Sequence, residues 1–299
     1  MTLDGVLFFP VTPFGPAGAV DPRVLAAHVE DGLAHGPGAV FAACGTGEFH
    51  ALDAAEHELV VTTAVRAAAG AVPVFGGTGG ALPHAVACAR GAERAGADGL
   101  LVLPPYLVSG PDDGLVAYVE AVAAASGLPL VLYQRGGARF TPSAVARLAR
   151  LPAVVGFKDG LGDLDLMQRI VLAVRSEVGE EFQFFNGMPT AEQTQAAYRG
   201  IGVPLYSSAA FCFAPRVSGA FHRAVATGDE AGRTRLLAEF FQPLVELRDQ
   251  VPGYAVSLVK AAVRLRGPEV GGVRPPLADP SPAHLRRLRE LIEVADGLV

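Results

Sequence analysis

The sequence predicts an α/β fold, a (β/α)8 TIM barrel followed by a C-terminal helical appendix. Eight short apolar runs alternate with longer amphipathic stretches over the first three-quarters of the chain. Most of the runs are apolar at every position, as parallel strands covered by helices must be. The 299-residue length holds one such barrel with residues to spare. An open, doubly wound sheet is the competing architecture.

Strands are expected at 6–10, 39–43, 72–75, 99–103, 128–133, 154–158, 182–185 and 203–206, each followed by a polar or glycine-rich turn. Between them the spacing is helical. Asp21-Pro22 and Thr141-Pro142 each read as an N-cap followed by proline at the first helical position. In the third helix Leu82, Ala85, Val86 and Ala89 share one face, with His84, Glu93 and Arg94 away from it. After about residue 228 the alternation stops. Leu236, Leu237, Phe240, Phe241 and Leu244 form a helical stripe that Pro243 should bend or end. Val256, Val259, Lys260 and Val263 suggest a second helix, and Ser281-Pro282 opens a third with Leu285, Leu288, Ile292 and Ala295 on one face. The expected organisation is a barrel over 1–228 carrying the active site, with helices over 229–299 packed on it.

Composition narrows the function. A net charge of −6 argues against a nucleic-acid partner, and no apolar run is long enough to span a membrane. Met1 to Gly5 lacks the basic start of a signal peptide, and Cys44, Cys88 and Cys212 are three separate thiols without zinc-type spacing. The expectation is a cytoplasmic protein with reduced, buried cysteines. Of 24 basic residues only Lys158 and Lys260 are lysines. Where arginine serves as the general cation, a retained lysine raises the question of what arginine cannot do. An amine can lose its proton and attack a carbonyl, whereas guanidinium stays protonated.

Lys158 ends an apolar strand and shares a face there with Val154 and Gly156 by simple alternation. In a barrel that face can be the interior, with the lysine at the C-terminal rim where barrels place reactive groups. Burial there would lower its pKa and free the nucleophile. The alternative is an ion pair with Asp159 or another carboxylate. Tyr133 closes the preceding strand, so the two side chains would be neighbours and the phenol could carry protons; otherwise it is a packed aromatic. Gly45-Thr46-Gly47-Glu48 after the second strand offers backbone N–H groups and a hydroxyl to a carboxylate, with Glu48 capping or pairing. Arg135 and Arg139 flank the loop after Tyr133 and either could clamp a second carboxylate. Gly187, Ser207 and Ser208 follow the last two strands at the same rim, and Gly187 and Ser207 complete the expected substrate contacts. Gly76 to Gly80 reads as a barrel turn, since Leu82 stands where a dinucleotide fingerprint needs glycine. Asp159, Asp163 and Asp165 have no histidine beside them and read as acids entering a helix, so no metal is expected.

These residues in this order resemble the dihydrodipicolinate synthase/N-acetylneuraminate lyase superfamily, from Phe9-Pro10-Val11-Thr12-Pro13-Phe14 to the C-terminal helices. The resemblance implies a Schiff-base lysine at Lys158, a proton-relay tyrosine at Tyr133, a carboxylate-binding turn at Gly45 to Glu48, Arg139 as the favoured partner of a second carboxylate, and a homotetramer. Further segments resemble a branch that dehydrates and decarboxylates a six-carbon keto-diacid: Gly45 to Phe49, Gly156 to Asp163, Pro189-Thr190-Ala191-Glu192, Tyr206 to Ala209, and Gly253 to Lys260. Two departures separate the chain from the synthase branch. Gly45 replaces the first of two adjacent threonines, and Gln134-Arg135-Gly136 stands where asparagine, valine and proline usually follow the tyrosine. Tyr106 aligns with a tyrosine projected across a subunit interface; with the relay threonine missing, interface packing is its expected role. The implied substrate is a small keto-diacid handled without metal or organic cofactor. The rival readings are an aldolase or synthase using the same lysine, and a catalytically silent keto-acid-binding protein.

Overall fold

Side chains alternate across a strand, so each buried strand of a barrel feeds two cores, one inside and one under the helices. The computed structural model describes residues 2–299 and has this arrangement. Its strands are β1 (Leu7–Phe8), β2 (Ala39–Ala42), β3 (Val74–Thr78), β4 (Gly99–Val102), β5 (Leu130–Gln134), β6 (Val154–Asp159), β7 (Gln183–Asn186) and β8 (Leu205–Ser208). All pair in parallel in chain order, and β8 closes on β1. Leu7, Phe9, Phe41, Phe75, Leu101, Val131, Phe185 and Leu205 fill the interior. Phe8, Val40, Val74, Leu100, Leu132 and Phe157 belong to the outer core beneath the helices. Inside, Phe9, Phe41 and Phe75 stack in turn, with centroids 4.6 and 4.7 Å apart.

The covering helices are α1 (Pro22–Leu33), α2 (Ala54–Ala68), α3 (Leu82–Ala95), α4 (Asp112–Ala123), α5 (Pro142–Ala149), α6 (Leu164–Val178), α7 (Gln195–Gly200) and α8 (Pro215–Thr227). Asp21 and Thr141 cap α1 and α5 as their sequences predict. Asp163 caps α6 through the Leu166 N–H, and Asp165 pairs with Arg169 on the same helix.

Three local expectations are corrected. β3 runs on through Gly76 and Gly77 to Thr78, so these glycines are strand residues and not a turn. A Cβ on Gly77 would stand 2.2 Å from the Ala43 carbonyl oxygen, and the missing side chains are what let neighbouring backbone approach. The buried face of α3 is Ala85, Cys88, Ala89 and Ala92, with Leu82 exposed, because small residues let the helix lie close on β3. Val154 lies in the outer core, on the opposite side from Lys158. Leu130 pairs with Val154 and Val131 with Gly156, so Val155 is an extra bulged residue that reverses the alternation before the lysine.

Beyond Gly228 come α9 (Glu230–Leu236), a π-helical turn (Leu237–Phe241), α10 (Gln242–Arg248), α11 (Tyr254–Leu265) and α12 (Pro282–Leu298). Pro243 does not end the first of these helices. A π turn carries one residue more than an α turn and leaves a carbonyl without its usual donor, so a residue lacking N–H fits there. Phe240, Phe241, Leu258, Val263, Leu288 and Ile292 join the outer core, so these helices share it with the barrel. Among the described residues, no helix is long and apolar enough to cross a membrane.

Candidate active site

The bulge at Val155 sends Lys158 inward at the C-terminal end of β6, where it is only 5% exposed. Its Nζ lies 4.0 Å from the Phe9 ring centroid and 4.7 Å from that of Tyr133. Asp159 points the other way, taking hydrogen bonds from Gln134 Nε2 at 2.7 Å, from Tyr198 Oη, and from the Leu161 and Gly162 N–H groups. The ion pair with Asp159 is therefore not made, and among the described residues Lys158 has no carboxylate partner; it lines a cavity instead. Burial lowers its pKa to about 7, and the Arg135 charge acts in the same direction. Cys44 beside it is pushed up to about 12 by burial, so near neutral pH its thiol offers the ammonium no counter-charge. Much of the population is then free amine at neutral pH, held between aromatic faces.

Tyr133 pairs with Lys158 across β5 and β6. Its hydroxyl donates to the Gly187 carbonyl at 3.0 Å and accepts from Arg135 at 3.1 Å. Burial raises the phenol's pKa, while the Arg135 charge and hydrogen bond oppose the rise. Gly187 must be glycine, since a Cβ there would stand 2.6 Å from Lys158 Cε and 2.8 Å from the Asp159 carbonyl oxygen. That loop touches both reactive groups.

The turn after β2 is held from two sides. Thr12 Oγ1 donates to the Gly47 carbonyl at 2.6 Å. Glu48, in left-handed backbone at φ 58°, pairs at 2.7 Å with Lys260 of α11, both fully buried. Gly45 and Thr46 are left facing the cavity.

The cavity has a volume of about 730 Å³ and brings together Lys158, Tyr133, Gly45, Thr46, Gly187 and Ser207. It does not include Arg139, whose guanidinium is drawn to Asp163 at 2.7 Å on the exposed rim. Arg135 lines it instead and, among the described residues, has no carboxylate partner. Ser208 faces outward to Glu192 and Ser218, so only Ser207 of that pair is available.

Sequence reasoning missed Phe9, Cys44 and Arg248 as parts of the site. Alternation along the first strand would have placed Phe9 inside. Arg248 reaches the wall from α10 and donates to the Pro189 carbonyl at 2.8 Å and to Thr190 Oγ1 at 2.9 Å. Leu244, Tyr254 and Val259 also line the cavity, so the C-terminal helices contribute to a site expected of the barrel alone.

Comparison with known proteins places the chain among named relatives. A protein of Streptomyces coelicolor named "Probable 5-dehydro-4-deoxyglucarate dehydratase 1" is 58% identical over 296 residues, covering 99% of this chain and 94% of that one. A namesake from Paracidovorax citrulli is 44% identical over 290 residues, covering 97% and 94%. Among solved structures, a prophage protein of the dihydrodipicolinic acid synthase family from E. coli K12, in complex with pyruvate, superposes with a TM-score of 0.87 at 26% identity, covering 98% of each chain. The profile of the dihydrodipicolinate synthetase family matches residues 2–295, and the chain belongs to that family.

Proposed function

We propose that the protein is a Schiff-base lyase that removes water and carbon dioxide from 5-dehydro-4-deoxy-D-glucarate, leaving 2,5-dioxopentanoate. The observation that carries this is Lys158, an amine with a pKa near 7 that lines the cavity over the Tyr133 ring and, among the described residues, has no carboxylate partner. The names of the relatives supply the substrate. The unpaired Arg135 supports a ligand with a second carboxylate.

Free Lys158 adds to the C5 ketone, and the carbinolamine oxygen leaves as water with a proton from Tyr133, giving the iminium. The iminium acidifies C4, and the proton lost there is passed to the C3 hydroxyl, which the enamine expels as water. In the conjugated iminium the C1–C2 bond then breaks, carbon dioxide leaves, and its electrons run to the lysine nitrogen. A proton taken up at C4 restores the iminium, the C2 enol tautomerises to an aldehyde by moving its proton to C3, and hydrolysis returns the C5 ketone and Lys158. The lysine is the electron sink throughout, so the sequence of steps calls on no metal or organic cofactor. Thr46, the Gly45 backbone and Ser207 would hold the carboxylate next to the ketone. Arg135 takes the place first given to Arg139, orienting the far carboxylate so that the C1–C2 bond lies across the conjugated plane.

The same reading has the chain working in the cytoplasm as a homotetramer of barrels over 1–228 with their helices over 229–299. The exposed Tyr106, Leu107 and Val108 beside the cavity mouth support a subunit contact there. Incubation with the keto-diacid, following carbon dioxide and aldehyde, tests the activity. Release of pyruvate without carbon dioxide would identify an aldolase instead, and binding without turnover a silent keto-acid receptor.

A further inference from the structure

One buried acid has no use in that chemistry. Glu192 lies in the short helical turn after β7 and is 1% exposed. Its Oε1 accepts from Ser208 Oγ at 2.5 Å, while its Oε2 has no partner. Ser208 Oγ also accepts from the Phe211 N–H at 3.2 Å and lies 3.1 Å from Ser218 Oγ. The buried Tyr206 hydroxyl on the same strand is likewise without a partner. Beyond it His222 of α8 lies with ring centroids 6.1 Å apart. The π turn packed on Glu192's own turn carries Glu239, which is exposed. Arg248 is engaged with Pro189, Thr190 and Asp249. Among the described residues, no cation pairs with Glu192. A carboxylate buried with one hydrogen bond and no counter-charge is costly, whereas the neutral acid is not.

The segment that Glu192 ends carries Gly187, Met188, Pro189 and Thr190, all on the cavity wall, and the Gly187 carbonyl receives the Tyr133 hydroxyl. Ser208 follows Ser207, which lines the same cavity. We propose that Glu192 is a positioning residue that works as a neutral carboxylic acid, latching the loop after β7 against the end of β8 by the dry packing of its uncharged Oε2, and that its ionisation, which keeps the Ser208 hydrogen bond but leaves a charged Oε2 with no donor, draws in water, loosens the latch and displaces the acceptor of Tyr133. In support, burial lifts its carboxyl to about 7, with the Ser208 hydrogen bond opposing. The latch is closed in acid and opens as pH rises through neutrality.

Two measurements test this. In protein labelled with carboxyl-13C glutamate, one resonance should titrate near neutrality and be absent in Glu192→Gln. Ser208→Ala should move that midpoint higher, since the carboxylate loses its donor. The second measurement is the rate at which pyruvate and borohydride label Lys158 between about pH 6 and 9. Deprotonation of Lys158 raises this rate in every variant, so the ratio of wild type to Glu192→Gln isolates the latch. The ratio should fall with pH, by up to about 100-fold, the scale of a misplaced reacting group. A flat ratio, or glutamates that all titrate in the ordinary range, overturns the proposal. Should Glu192→Gln fail to fold, Ser208→Ala replaces it: its labelling should persist to higher pH than that of wild type, and an unmoved profile overturns the latch. The labelling rests on the Schiff-base reading, and a wild type that takes no label speaks against that reading; the titration is independent of any reaction.

Discussion

At Lys158 the protein gives up stability to keep an amine buried. The unfolded chain holds this proton up to about pH 10.4, whereas the folded state releases it at about 7. The sign follows from proton counts: below pH 7 both states carry the charge and the folded state bears the full cost of burying it. Between 7 and 10 the unfolded state binds more protons, so the cost shrinks as pH rises. Lys158→Met should therefore raise the melting temperature, by an amount worth a few kcal/mol at pH 6 and less at pH 9; calorimetry at both values checks it. The two rim arginines give a second prediction. Arg135→Gln should raise KM for a keto-diacid by the equivalent of about 2–5 kcal/mol and leave a monocarboxylate analogue little changed. Arg139→Gln should lose only its exposed bridge to Asp163, about 0–1 kcal/mol of stability, and keep KM. Equal effects of both substitutions on both substrates would remove Arg135 from the clamp. Four residues apart in one loop, the arginines are equivalent in the sequence. What separates them is that Asp163, at the start of α6, lies within reach of only one.

At the scale of elements, the short apolar runs between helical stretches located all eight strands in order, with ends displaced by up to two or three residues. Two local irregularities were not legible. The bulge at Val155 depends on how β6 pairs with β5, and that register is absent from the pattern of a single strand. The π turn before Pro243 depends on the helix being held on both sides of the proline by α8 and α12. Pro243→Ala should accordingly change the melting temperature little, well under the ~3 kcal/mol of an ordinary mid-helix proline. A large gain in stability on that substitution would show that the π turn does not relieve the proline.

At the scale of the molecule, the C-terminal helices are tied to the turn at the cavity wall through charge. Lys260 of α11 meets Glu48 behind the carboxylate turn, and the Arg274 N–H donates to the other Glu48 oxygen at 2.8 Å. Lys260→Met leaves Glu48 buried and without its cation, and should cost roughly 3–5 kcal/mol. Lys260→Met with Glu48→Gln should recover most of that loss in chemical denaturation; no recovery would mean that the pair is not the tie. The sequence by itself determined the barrel, the lysine and its tyrosine neighbour. The barrel rests on the recurrence of apolar runs between helical stretches, and the neighbouring ends of Lys158 and Tyr133 on two consecutive strands, whose adjacency in a barrel follows from chain order. Only the tertiary structure decided which arginine faces the cavity, that Lys260 is a structural ion pair, and that Arg248 joins the site. Those outcomes depend on residues far apart in sequence, 212 positions for Glu48 and Lys260. A charged side chain goes to whichever partner the folded chain brings within reach, and that distance is set by packing.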